Sequence, residues 1–135
     1  LLAIASHSGY ETSHGVIHHR KLYLSTGGGN LRGADRLEYS GAPGEIARMA
    51  IVRFHLHPRV TVAMLRDQRV LIKIRGNRAG WVVRASASVA LDTSLFFDID
   101  GRKNCQQIVI NVPLADLRSI GTIDVKWAFQ RNEPL

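Results

Sequence analysis

A single cysteine, Cys105, stands among the 135 residues, which excludes an intrachain disulfide framework and any zinc site built on several thiolates. Proline is scarce at 4, and there is neither a low-complexity stretch nor an internal repeat, so the chain is not a linker or a collagen-like polypeptide. No apolar run approaches the roughly 20 residues that a membrane-spanning helix needs. No window holds apolar residues at i, i+3, i+4 and i+7 for three turns, which removes long amphipathic helices. Acidic residues are in the minority, 11 against 18 Lys plus Arg, giving a formal net charge of +7. Such a surface favours polyanions, and charge alone does not choose among nucleic acid, anionic lipid and acidic polysaccharide.

What is present is a period of two. Val16 to Leu24 is rich in β-branched and aromatic residues and runs into Thr26-Gly27-Gly28-Gly29-Asn30, a strand followed by a loop. In Ile51 to Pro58, alternation sets Val52, Phe54 and Leu56 against Arg53, His55 and His57, and Pro58 ends the ladder. Val70 to Arg75 and Trp81 to Arg84 flank a glycine-containing loop and read as a hairpin. Ser88 to Phe97 reads as a strand with Asp98-Ile99-Asp100-Gly101 as its turn, and Gln107 to Val112 as a mostly buried one. Ile123, Val125, Trp127 and Phe129 alternate with polar residues in a last strand, and residues 113–118 form a helical turn or a loop. About eight or nine strands imply an all-β fold, a sandwich or barrel, in one domain spanning 1–135. Without an initiator Met, and with Leu1-Leu2-Ala3-Ile4-Ala5 reading as a strand already under way, the chain is read as a piece of a longer polypeptide.

All 6 histidines fall within the first 57 residues. His55 and His57, at i and i+2 on one strand face, present two nitrogens to a metal that wants three or four ligands, but no HExxH, paired CxxC or calcium-loop pattern completes a set. Half-exposed imidazoles making ordinary hydrogen bonds are the plainer reading. Ser6-His7 and Ser13-His14 suggest a nucleophile and base, yet neighbours on a strand point to opposite faces and no GxSxG elbow exists. Gly27-Gly28-Gly29 precedes no helix and no GK[ST], so it is a surface turn. The basic residues are dispersed through strands and turns, which in a sheet makes a basic face suited to carboxylate or sulfate, since arginine offers a bidentate fork. Interleaved aromatics are few and no RNP, KH or helix-turn-helix pattern appears, so nucleic acid is not the expected partner.

Several runs in order resemble one family. Ala5-Ser6-His7-Ser8-Gly9-Tyr10, Gly15 to Ser25 with its His18-His19-Arg20 core, and Leu31-Arg32-Gly33-Ala34-Asp35-Arg36-Leu37 are similar to segments of heparinase II/III-like proteins of alphaproteobacterial type. So are Arg53 to Pro58, Gly80-Trp81 with Arg84, Gln107-Ile108-Val109 and Lys126-Trp127-Ala128. Ser8 departs from the Asp usual at its position, and Phe96-Phe97 from a Val-Tyr pair. The resemblance implies the C-terminal β-sandwich portion of a bacterial polysaccharide lyase, supersandwich-like and part of a larger sheet assembly. The family's enzymes cleave uronic-acid polysaccharides by β-elimination: a neutralised carboxylate acidifies the C5 proton, a Tyr or His removes it, and a Tyr protonates the leaving oxygen.

The resemblance also places the catalytic residues, and a structural zinc of the parent protein, in polypeptide that precedes Leu1. No catalytic or metal-binding residue, and no cofactor, is therefore assigned to this chain. The expected partners are an acidic polysaccharide and an N-terminal α/α-toroid domain of the same parent, and the expected compartment is a bacterial periplasm or cell envelope. Arg53, His55, His57, His18 and Arg20 are the candidates for contact with glycan or neighbouring domain. The alternative is a stand-alone basic β-sandwich that binds acidic polysaccharide without cleaving it.

Overall fold

A computed structural model describes residues 1–132. In chain order the described residues form β1 (Leu2–His7), α1 (Glu11–His14), β2 (Val16–Leu24), β3 (Asn30–Tyr39), β4 (Met49–His55), β5 (Val60–Met64), β6 (Val70–Ile74), β7 (Gly80–Ala85), β8 (Ser88–Asp98), β9 (Gly101–Pro113), α2 (Leu117–Ile120) and β10 (Thr122–Asn132). Every pairing is antiparallel. One sheet has seven strands in the order β1-β2-β3-β10-β7-β6-β5, and the other has three, β4-β9-β8. The expected all-β sandwich is the fold. The two helices are single turns.

Alternation explains how the sheets stack. Val52 and Phe54 on β4 and Leu56 just beyond it pack on the core, as their period of two requires, while Arg53 and His55 face out. Phe54 sets its ring edge-on to Trp127 at 4.7 Å and to Phe129 at 5.1 Å, tying the small sheet to β10. Val70, Val83, Ile108, Ile110 and Leu117 complete the buried centre, each at 0% exposure. Burying such a side chain contributes about 2 kcal/mol. β1, at one edge of the large sheet, is exposed at all six positions.

Local chemistry sets the turns. Asp98 pairs with Gly101 across the β8–β9 hairpin, accepts the Asp100 N–H on its carboxylate at 2.8 Å and binds Lys103 Nζ at 2.7 Å. Gly101 has φ +109°, a conformation open to glycine. This segment is therefore a self-capped turn. The helical turn expected at 113–118 forms slightly later, over Leu117–Ile120. α1, β3 and β5 were not read as such in the sequence: α1 is only four residues long, and the apolar face of β3 is interrupted by Gly33 and Asp35.

Candidate functional site

Asp35 lies mid-strand on β3, on the face turned to the core, and is 1% exposed. Three neighbours converge on it. Arg20 on β2, its cross-strand partner, donates through Nε at 2.6 Å and Nη2 at 3.1 Å; Trp127 on β10 donates its indole N–H at 2.8 Å; and His18 Nε2 lies 2.7 Å from Oδ1. Burial pushes the carboxyl upward, but the hydrogen bonds from Arg20, Trp127 and His18, with the Arg20 charge, outweigh it and hold Asp35 below its ordinary value. An uncompensated carboxylate could not remain ionised at such depth.

The chain of contacts continues outward. The Gly9 N–H donates to His7 Nδ1 at 3.2 Å, and His7 Nε2 lies 3.1 Å from His18 Nδ1. Since His7 Nδ1 accepts, its proton sits on Nε2 and is donated to His18; His18 must then carry its own proton on Nε2, facing Asp35. Both nitrogens of both rings are thus engaged within the chain.

A cleft of about 400 Å³ opens over this row, between β2 and the edge strand β4, with His7, Tyr10, His14, His18, Arg20 and Arg53 among its lining residues. Of the five candidate contact residues, the structure gathers three here, His18, Arg20 and Arg53. Arg53 bonds Gln107 Oε1 at 3.2 Å. His55 and His57 lie outside this cleft, beside β8. His55 Nδ1 is 2.7 Å from Ser94 Oγ, whereas His57 has left the strand, accepts the Arg59 N–H at 3.1 Å and meets Phe96 edge-on at 4.7 Å.

Among the described residues no group of three His, Cys, Asp or Glu side chains is arranged to hold a metal ion. His7, His18 and Asp35 run in line instead of converging on a point, so these residues do not fit a structural zinc, which needs tetrahedral donors. The serine–histidine readings need one correction. Ser13 does reach its neighbour, with Oγ 2.6 Å from His14 Nδ1, because the pair lies on α1 and not on a strand. Ser6 instead bonds His19 across the sheet at 2.6 Å, and His19 Nε2 lies 2.6 Å from Glu38 Oε2. That row sits on an open sheet face, without the enclosed, preorganised pocket on which triad chemistry depends.

Sequence reasoning missed Asp35, the residue around which the site is built. The signal was available: in Leu31-Gly33-Asp35-Leu37-Tyr39 an acid occupies the apolar phase of an alternating run. Comparison with known proteins places this geometry in context. The family model described as "Heparinase II/III-like, C-terminal" matches residues 1–128. FtsZ-localized protein C of Caulobacter vibrioides is 29% identical over 126 residues, covering 88% of this chain and 21% of that protein. Crystal structures of the heparan sulfate lyase HepC from Pedobacter heparinus and of a HepC mutant align at TM-scores of 0.74 and 0.75, with 12% identity, over 98% of this chain and 20% of the lyase. The chain spans about a fifth of the length of these relatives, and likeness at that identity speaks to the fold.

Proposed function

This chain belongs to the heparinase II/III-like family, and from that membership we propose that it is the C-terminal β-sandwich portion of a polysaccharide lyase acting by β-elimination on uronic-acid glycans, itself non-catalytic and contributing contacts to acidic polysaccharide. The observation that supports a non-catalytic role is the closed row from Gly9 through His7 and His18 to Asp35. A general base needs a free lone pair within reach of the proton it removes, and neither imidazole has one. Arg20 is likewise committed to Asp35, which leaves Arg53 at the cleft mouth as the cation available to a carboxylate or sulfate group or to a neighbouring α/α-toroid domain. Any structural zinc belongs to other segments of the parent, and a bacterial periplasm or cell envelope is the compartment that suits such a substrate.

The test is release of unsaturated uronate from heparin, heparan sulfate or alginate by the purified chain, followed by its ultraviolet absorbance. No release is expected. Turnover that disappears in Tyr10→Phe would overturn the reading, because Tyr10 at the cleft mouth would then be serving as an acid or base.

A second reading is supported by the similarity to FtsZ-localized protein C: a binding module of a parent protein that localises with FtsZ. A fluorescent fusion of the parent protein that tracks FtsZ, together with absence of lyase activity in that parent, favours it. Diffuse fluorescence removes it.

A further inference from the structure

The outer face of the seven-stranded sheet, away from the cleft, carries a second arrangement that the proposed function does not use. Register sets its side chains in ranks across the strands. Lys21 and Lys126 flank Ala34 from either side; two residues along, Tyr23 and Ala128 flank Arg32, and Ala128 in turn faces Arg84; two residues the other way, His19 and Asp124 flank Arg36. Two shallow depressions, of about 560 and 510 Å³, share Lys21, Ala34 and Lys126 and so form one trough. From Arg32 to Glu38 along β3 it runs about 20 Å at strand rise.

Charge along this trough is uneven. The first depression is lined by Lys21, Arg32, Arg84 and Lys126 with no carboxylate among its lining residues. In the second, Arg36 is paired with Asp124 at 2.8 Å, and Glu38 is taken by His19. Like charges on neighbouring strands repel, so a face holding four such cations gains when an anion settles among them. Ala34 supplies the seat: a methyl group between two lysines one strand away on either side, each about 5 Å off, well within lysine reach. The next rank offers the forks of Arg32 and Arg84, about 7 Å further on.

We infer that this trough binds an extended polyanion of the acidic-glycan class, with one anionic group over Ala34 between Lys21 and Lys126 and the next held by Arg32 and Arg84. The inference rests on the glycan-contacting role proposed above and adds to the Arg53 cleft a second contact face on the other side of the sheet. Nucleic acid suits the trough less well, because Trp127 is buried, Tyr23 is the one exposed Phe, Tyr or Trp among its lining residues, and Arg32 already lies over the Tyr23 ring at 4.7 Å.

The experiment is calorimetric titration of the full chain with a heparin oligosaccharide at several salt concentrations, with a single-stranded oligonucleotide and anionic lipid vesicles as competing probes. Lys21→Ala/Lys126→Ala and Arg32→Ala/Arg84→Ala are compared with Arg53→Ala and with Arg78→Ala on the exposed β6–β7 loop, each first shown by thermal melting to be folded. The expected result is salt-sensitive heparin binding, weakened about tenfold or more by either trough pair, with a shallower salt dependence, and changed less than threefold by Arg78→Ala. If heparin binds and only Arg53→Ala weakens it, the trough is overturned while the glycan-contacting role stands. If the oligonucleotide or vesicles bind more tightly through the same four residues, the glycan class is overturned. If the wild-type chain binds no heparin, the trough and that role fall together.

Discussion

Gly33 and Trp127 occupy one column of space: a Cβ built on Gly33 would lie 2.1 Å from the indole Cζ2 and 2.2 Å from Cε2. The two residues face each other across β3 and β10, and the ring lies over the bare backbone to reach Asp35. Glycine here is a matter of room for the neighbour's side chain, since its φ is not in the left-handed region.

Gly33→Ala is therefore expected to destabilise the fold by about 3 kcal/mol, at the upper end for overpacking, because the displaced indole also loses its acceptor. Denaturant unfolding in a double-mutant cycle checks this. In a Trp127→Ala background the same substitution should cost under about 1 kcal/mol, and equal costs in both backgrounds would show that the ring is not what excludes the methyl group.

Asp35→Asn removes the countercharge of Arg20 while preserving shape. A loss of about 3 kcal/mol is expected, the lower end for breaking a buried pair because Arg20 retains some access to water. The pH dependence has a definite sign. The folded carboxyl titrates below its ordinary value of 3.8, so its contribution is complete above that value and is lost as pH falls through the lower, folded one. Melting temperatures of the wild type should thus fall steeply in acid, and those of Asp35→Asn less so. Asp98 and Asp124, held low chiefly by Lys103 and Arg36, act in the same direction in both proteins.

The row from Gly9 to Asp35 fixes two tautomers. Nitrogen-15 NMR near neutral pH should find the fraction of His7 and of His18 that is neutral protonated on Nε2 in both cases. A proton on Nδ1 of either ring would contradict the hydrogen-bond directions given for the cleft.

Phe54→Ala takes away the ring that meets both Trp127 and Phe129. A cost of about 3 to 4 kcal/mol is expected, with loss of the near-ultraviolet circular dichroism of Trp127. Ser94→Ala, which breaks the exposed bond to His55, should cost under about 1 kcal/mol.

The alternation around Phe54 was fully legible in the sequence, and so were the β6–β7 hairpin, the Asp98–Gly101 turn and the inward phase of β10. Each is set by neighbours within a few residues. The candidate site was legible only in part. His18, Arg20 and Arg53 carry recognisable chemistry, but what brings the first two to Asp35 is the register of β2 on β3, and what closes the hub is Trp127, 92 positions beyond Asp35. His55 and His57 keep the shared exposed phase that alternation implies, meeting Ser94 and Phe96 two residues apart on β8, but that face lies away from the Asp35 hub. The ranked cations of the outer trough depend on three strand registers at once, which no local pattern encodes.

β10 sits between β3 and β7 and joins two groups of strands that otherwise share no ladder in the large sheet. During synthesis it is also the last described strand to leave the ribosome. Until it arrives, β3 and β7 each hold an unpaired edge open to other chains, so the growing protein passes through an interval when it is most prone to associate wrongly. Completion of the sheet must await closure of a long loop, which predicts folding on a millisecond-to-second scale and only after translation has passed Asn132.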